Sequence, residues 1–155
     1  MAAHVLARRP DLASLTERWT DPDEVRDYGA VAGGYTLVQR AVFMGHRDVV
    51  EVLLRAGAPM RVRVGLDPLD TAVLQDECDM ARLLLAAGAL PGGTRDGTLT
   101  PLHRAAIRGR EAMARLLLAS GARAEAVGPG GRVAADWARL KGHDQLATLI
   151  EEYTT

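Results

Sequence analysis

The sequence Thr100-Pro-Leu-His-Arg-Ala-Ala-Ile-Arg-Gly109 is followed by Ala112-Met-Ala-Arg-Leu-Leu-Leu-Ala-Ser-Gly121. The leading threonine can cap a helix N-terminus, and the proline after it suits the first helical turn. Each run ends in glycine, which accommodates the positive φ that a helix C-terminus often needs. In the second run Met113, Leu116 and Leu117 recur at helical spacing. The stretch therefore predicts two short helices joined by a tight turn.

The same pattern occurs in three further stretches of the chain. They begin at Thr36, Asp67 and Val133, so that with Thr100 the successive starts are 31, 33 and 33 residues apart. A period of this length is typical of repeat proteins, in which each unit buries its apolar face only against its neighbours. The chain is therefore predicted to stack four similar units.

Residues 100–109 meet the pattern Thr-Pro-Leu-His-x-Ala-Ala-x-x-Gly, and in this the chain resembles the ankyrin repeat. The Leu-Leu-x-x-Gly-Ala ending that accompanies the pattern occurs three times, and the copies cover about residues 36–152. The resemblance implies an all-α solenoid of helix-turn-helix units with degenerate N- and C-terminal capping repeats. The second copy departs from the pattern, because Asp76 stands where glycine is usual and Asp70 replaces the histidine.

The repeat starts also predict how the chain is organised. We expect N-terminal capping helices and a loop insertion over residues 1–35, three repeats over residues 36–66, 67–99 and 100–132, and a C-terminal capping repeat over residues 133–155. The insertion over residues 20–35 is longer than the other loops between repeats. Insertions in solenoids often lie on the binding face, although an inert finger explains this one equally well.

Composition excludes several classes of protein. The 155 residues carry a formal net charge of -1, which indicates neither nucleic acid nor a membrane as partner, and no run of 18 apolar residues occurs. The single cysteine, Cys78, cannot form a disulfide within the chain, so we expect a reducing, cytoplasmic location. Arginine outnumbers lysine 18 to 1, an excess that we attribute to coding bias in a GC-rich, bacterial-like genome.

Motifs for catalysis or cofactor binding are missing from the sequence. No pair of cysteine and histidine residues has metal-ligand spacing, and Gly128-Pro129-Gly130-Gly131 lacks the lysine of a phosphate-binding loop. The resemblance implies that His103 hydrogen-bonds within its own turn. We therefore predict no metal, no cofactor and no enzymatic activity.

A partner surface is implied by the resemblance, since partners of ankyrin repeats dock mainly on the concave side, at hairpin tips and exposed first-helix positions. In this sequence the partner-binding residues would be Phe43, Met44, Leu74, Gln75, Arg95, Arg104, Ile107, Arg108, Leu140 and Lys141. Rows of exposed apolar residues usually mark interaction surfaces, and the basic residues favour an acidic protein segment. Nucleic acid is disfavoured because no aromatic platform accompanies the arginines. An alternative for Leu74, Ile107 and Leu140 is packing between repeats.

The sequence is also compatible with two other functions. The chain could be a small-molecule binder or enzyme, with the insertion over residues 20–35 closing a pocket that Tyr28, Tyr35, Asp70 and His103 would line. It could also be a homo-oligomeric assembly protein, in which Trp137 and Tyr153 make the contacts between copies. The leading prediction is a non-catalytic protein-binding module, acting as an adaptor or inhibitor.

Overall fold

The computed structural model describes residues 36–58, 60, 66–93 and 98–154. The chain divides into two compact units, Met1–Leu66 and Asp67–Thr155. The described residues form eight α-helices and one 3-10 turn, Pro129–Gly131, and none of them lies in a strand. The predicted all-α, helix-turn-helix architecture is therefore confirmed for this part of the chain. The N-terminal capping helices and the insertion, predicted over residues 1–35, lie outside it.

The described part of the first unit is one helical hairpin, made of α1 (Leu37–Phe43) and α2 (Arg47–Arg55). The predicted cap at Thr36 is confirmed, since its hydroxyl accepts the backbone N–H of Gln39 at 3.1 Å. The Gln39 side chain in turn accepts the backbone N–H of Thr36 at 2.7 Å, which completes a capping box. The Gln39 amide also donates to the Leu66 carbonyl, so one buried side chain links the start of the hairpin to the chain segment that follows it.

The second unit contains three helical hairpins. Their helices are α3 (Pro68–Gln75) with α4 (Cys78–Ala86), α5 (Pro101–Arg108) with α6 (Glu111–Ala119), and α7 (Ala134–Leu140) with α8 (Asp144–Glu152). The first helices α3, α5 and α7 neighbour one another in order, and so do the second helices α4, α6 and α8. Each hairpin therefore adds one helix to each of two adjacent layers.

Local sequence signals begin and end the helices of the second unit as predicted. Pro68 and Pro101 stand in the first turns of α3 and α5, and Thr100 caps α5 through its hydroxyl. Gly109 ends α5 with a φ of 66°, a left-handed conformation that glycine adopts without strain. Asp76 ends α3 with a φ of 61°, so an aspartate does occupy the glycine position that the repeat pattern predicts.

Small side chains let the first helices approach closely. Ala72, Ala105 and Ala138 occupy equivalent positions of α3, α5 and α7, and all three are fully buried. The second helices contribute large core residues such as Leu84 and Leu117, and Leu102 of α5 is also fully buried. Within the described ranges, no helix is long and apolar enough to cross a membrane.

Candidate interaction surface

Each first helix of the second unit buries one face and leaves another accessible. In α5 the residues at positions 101–103, 105 and 106 are buried, whereas those at 104, 107 and 108 are not. Positions separated by three and four residues lie on the same side of a helix. The equivalent positions of all three helices define what we call the first-helix surface: Thr71, Leu74, Gln75, Arg104, Ile107, Arg108, Trp137, Leu140 and Lys141.

One row of the first-helix surface is apolar. It consists of Leu74 on α3, Ile107 on α5 and Leu140 on α7, which hold the same position in three neighbouring helices. Leu74 and Ile107 are half-buried, and Leu140 is 59% exposed. The sequence left open whether this row serves packing or binding. Because Leu140, at the last helix of the row, is largely exposed to solvent, packing between repeats does not account for its side chain.

A second row, next in sequence, is polar and exposed. It is formed by Gln75, Arg108 and Lys141. Four other arginines of this unit are held in ion pairs: Arg82 with Asp79, Arg110 with Asp76, Arg115 with Glu111, and Arg139 with Glu151. Among the described residues, Arg108 and Lys141 take part in none of these ion pairs. Their two positive charges are therefore available to an incoming partner.

The third row contains Thr71, Arg104 and Trp137, all partly buried. Arg104 differs from Arg108 because its Nε donates to Asp70 Oδ1 at 2.9 Å, an ion pair between α5 and α3. Asp70 is only 7% exposed, and its burial raises the pKa of the carboxyl to about 6, against the attraction of Arg104. The charge of Arg104 is thus largely compensated within the fold.

His103 is fully buried, and both of its ring nitrogens have partners. The Thr100 hydroxyl lies 2.7 Å from Nδ1, and the backbone N–H of Thr100 donates to the same nitrogen at 3.2 Å. Nε2 lies 3.1 Å from the Arg132 carbonyl, which can only accept, so Nε2 carries the proton. Burial lowers the pKa of His103 and favours this neutral form. The bond to Thr100 agrees with the role that the sequence resemblance implies.

Two of the four residues predicted to line the alternative pocket, Tyr28 and Tyr35, lie outside the described residues. Arg95, predicted for the partner surface, lies outside them as well. Asp70 and His103 are placed at equivalent positions of neighbouring first helices, each engaged by the contacts given above. An open cleft of about 430 Å³ lies elsewhere, against the second helices, and is lined by Arg82, Leu85, Ala86, Ala89, Pro91, Leu116 and Ser120. The described residues contain no group of three potential metal ligands.

Trp137 belongs to the first-helix surface, although the sequence suggested it only as a contact between copies. The signal was present in the repeat alignment, where Trp137 stands at the position of Arg104. The Arg132 guanidinium lies 5.6 Å from the centroid of the indole ring, within the range of a cation–π contact. The indole N–H is buried without a hydrogen-bond acceptor among the described residues. Tyr153, the other suggested contact, is exposed.

The first unit presents large apolar side chains at the corresponding positions of α1. Phe43 is 65% exposed and Met44 is 57% exposed, and they hold the repeat positions of Leu74 and Gln75. Apart from Arg104, the predicted partner-binding residues that the structure describes occupy two equivalent positions in each of four repeats, and all are exposed or half-buried. Arg104 is the member whose charge is already paired.

Comparison with known protein families agrees with the repeat pattern. A family model described as ankyrin repeat matches residues 33–63. A second model, described as ankyrin repeats (many copies), matches residues 69–118. Together the two matches cover just over half of the chain. No curated protein matches the sequence.

Proposed function

Because this chain belongs to the ankyrin-repeat family, we propose that it is a non-catalytic protein-binding module, an adaptor or inhibitor, that docks its partner on the first-helix surface. Ankyrin repeats are in general protein–protein interaction modules. In this chain the surface corresponds to the side that the sequence resemblance predicts to be the concave groove. The family supports the general role, and the residues of the surface support the site.

The apolar row carries this proposal. A large apolar side chain that is 59% exposed, as Leu140 is, continues a line begun by Leu74 and Ile107. Contiguous exposed apolar residues bordered by polar ones commonly mark interaction sites, since covering them removes apolar surface from water. A docked segment would cover all three side chains at once.

Charge indicates the kind of partner. Arg108 and Lys141 flank the apolar row and form none of the ion pairs found in the described part of the chain. Complementary charge speeds encounter with the right partner and disfavours wrong ones. An acidic protein segment is the partner that this flank favours.

A non-catalytic role is supported by the state of the buried ionisable groups. Asp70 pairs with Arg104, and His103 uses both ring nitrogens inside the fold. A general acid or base must reach the proton that it transfers. Both side chains are better explained as links between neighbouring repeats.

The experiment is affinity capture from a lysate of the source cell, comparing wild type with an Ile107→Glu, Leu140→Glu variant. The matched control carries Ala112→Glu and Ala119→Glu, which add the same charge at exposed positions of α6. Circular dichroism establishes that all three proteins are folded. We expect one specific protein to be retained by wild type and control and lost by the variant. Equal retention by all three proteins would exclude this surface as the docking site.

A further inference from the structure

We propose that the segment recognised by the first-helix surface is an amphipathic α-helix with an apolar residue at every seventh position and acidic residues along one flank. This inference rests on the proposed function and specifies the conformation of the partner. The helix would cross α3, α5 and α7 and place one apolar side chain against each of Leu74, Ile107 and Leu140.

The spacing of the apolar row selects a helix. Neighbouring packed helices lie about 8–10 Å apart, so Leu74, Ile107 and Leu140 repeat at about that distance. Seven residues of an α-helix span about 10.5 Å and return the side chain to nearly the same face. A helical partner can therefore meet all three apolar residues with one face.

An extended partner does not fit the same row. Three residues of a strand span about 10 Å, but side chains alternate between faces, so the third residue points away from the surface. Residues two or four apart do return to the same face, at about 7 Å or 13 Å, and both distances lie farther from 8–10 Å than the 10.5 Å of a helical heptad. Every sixth residue of a strand would face the row again after about 20 Å, so a strand would contact one apolar residue for every two repeats.

The two flanks of the apolar row differ in charge, and this orients the acidic face of the partner. One flank runs from Gln75 to Arg108 and Lys141, so it is neutral at α3 and positive at α5 and at the end of α7. On the other flank the charge of Arg104 is compensated by Asp70 at 2.9 Å. Acidic residues are therefore expected on one side of the partner helix, three or four positions from its apolar residues, where helical neighbours lie.

The opposite flank carries a compensated arginine, Arg104, and an aromatic ring, Trp137. It ends at Trp137, whose ring is partly buried beneath Arg132. Tryptophan is among the residues that most often dominate binding energy at interfaces. A helix seated on the apolar row would lie beside this ring, so Trp137 extends the contact. The guanidinium of Arg132 over the ring adds a positive charge at this end.

The test uses designed fluorescent peptides and fluorescence anisotropy with the full chain. The parent peptide has three heptads, with leucine at the same position of each and glutamate four residues after each leucine. Three comparison peptides move the central leucine by two positions, place proline in the middle heptad, or replace every glutamate by lysine. Moving the leucine takes one apolar side chain off the binding face, so we expect binding at least about tenfold weaker. Proline should weaken binding as much, because it breaks the helix.

Reversing the charges of the protein and of the peptide together distinguishes loss of charge recognition from a general loss of binding. The protein variant Arg108→Glu, Lys141→Glu should lose the glutamate peptide and gain the lysine peptide. Recovery of binding by the lysine peptide also shows that the variant is folded, which a loss of binding alone would not do.

The outcomes distinguish this inference from the proposed function. If the proline peptide binds as tightly as the parent, or if the parent peptide does not bind, the helical partner is excluded. The lysate capture decides the docking surface independently, because it depends on Ile107 and Leu140 whatever the partner's conformation. Capture that is lost in the variant, together with a proline peptide that binds normally, would retain the surface and reject the helix.

Discussion

Replacing Asp70 by asparagine tests the electrostatics of the repeat interface, because this carboxyl is buried and faces one arginine. Burial raises its pKa from 3.8 to about 6, while Arg104 lowers it and the charge of Asp67 raises it further. Asparagine keeps an oxygen that can accept the N–H of Arg104 and removes the titration. The variant should therefore differ from wild type chiefly in how its stability depends on pH.

The magnitude follows from the raised pKa. Above pH 6 the carboxylate is charged in the folded and unfolded chains, and folding must bury that charge. Below pH 6 the folded protein takes up a proton while the unfolded chain stays charged down to about pH 4, so acidification stabilises the fold. The full effect is about 3 kcal/mol, of which about 1 kcal/mol should appear between pH 7 and pH 5.

The assay is urea unfolding followed by circular dichroism at several pH values for wild type and Asp70→Asn. The difference between their unfolding free energies isolates Asp70, because other titrations occur in both proteins. Among the described residues His103 has a lowered pKa, which acts in the opposite direction: its contribution to stability is lost as pH falls below 6.5. Asp79→Asn, at an exposed carboxylate, is the matched control for the substitution itself.

The expected result is that the stability of wild type, measured relative to the asparagine variant, rises steadily as the pH falls from 8 toward 5. A flat difference would show that Asp70 does not titrate in this window. A difference that grows in favour of the variant on acidification would show that attraction to Arg104 outweighs burial. Either result would refute the reasoning that burial dominates at Asp70.

Three further predictions concern the stability of the turns and caps, all measured by urea unfolding. Asp76→Gly should be more stable than Asp76→Ala by about 1–2 kcal/mol, because both lose the ion pair with Arg110 and only alanine is strained at a φ of 61°. Gly109→Ala should cost more than that difference, since its Cβ would also lie 2.6 Å from the His143 ring; an equal cost would mean that the ring moves aside freely. Thr100→Ala should cost about 1 kcal/mol through loss of the helix cap, and no change would contradict the observed capping bond.

The local elements of the fold could be read from the sequence because local interactions produce them. Thr100, Pro101 and Gly109 specify the start and end of α5 within ten residues of one another. The same reasoning identified Asp76 as a residue at a glycine position, and its positive φ is observed. Because these signals recur at the same spacing in each copy, the copies could be aligned and the ankyrin repeat identified.

The candidate site could be predicted only as a set of positions. The repeat pattern marks Ile107, Arg108, Leu140 and Lys141 as accessible, because equivalent positions share a helix face. It did not separate Arg104 from Arg108, although one charge is compensated and the other is not. The sequence reasoning also placed Trp137 among contacts between copies, although the repeat alignment puts it at the position of Arg104.

The sequence by itself determined the helices, their caps, the repeat period and the residues that each first helix presents to one side, because all of these depend on contacts within a few turns of chain. Tertiary structure alone decided which charges are compensated between repeats. Asp70 and Arg104 are 34 residues apart, and His103 reaches a carbonyl 29 residues away. Such pairs form only when neighbouring repeats stack, since stacking supplies both the short distance and the burial that shifts the pKa of Asp70.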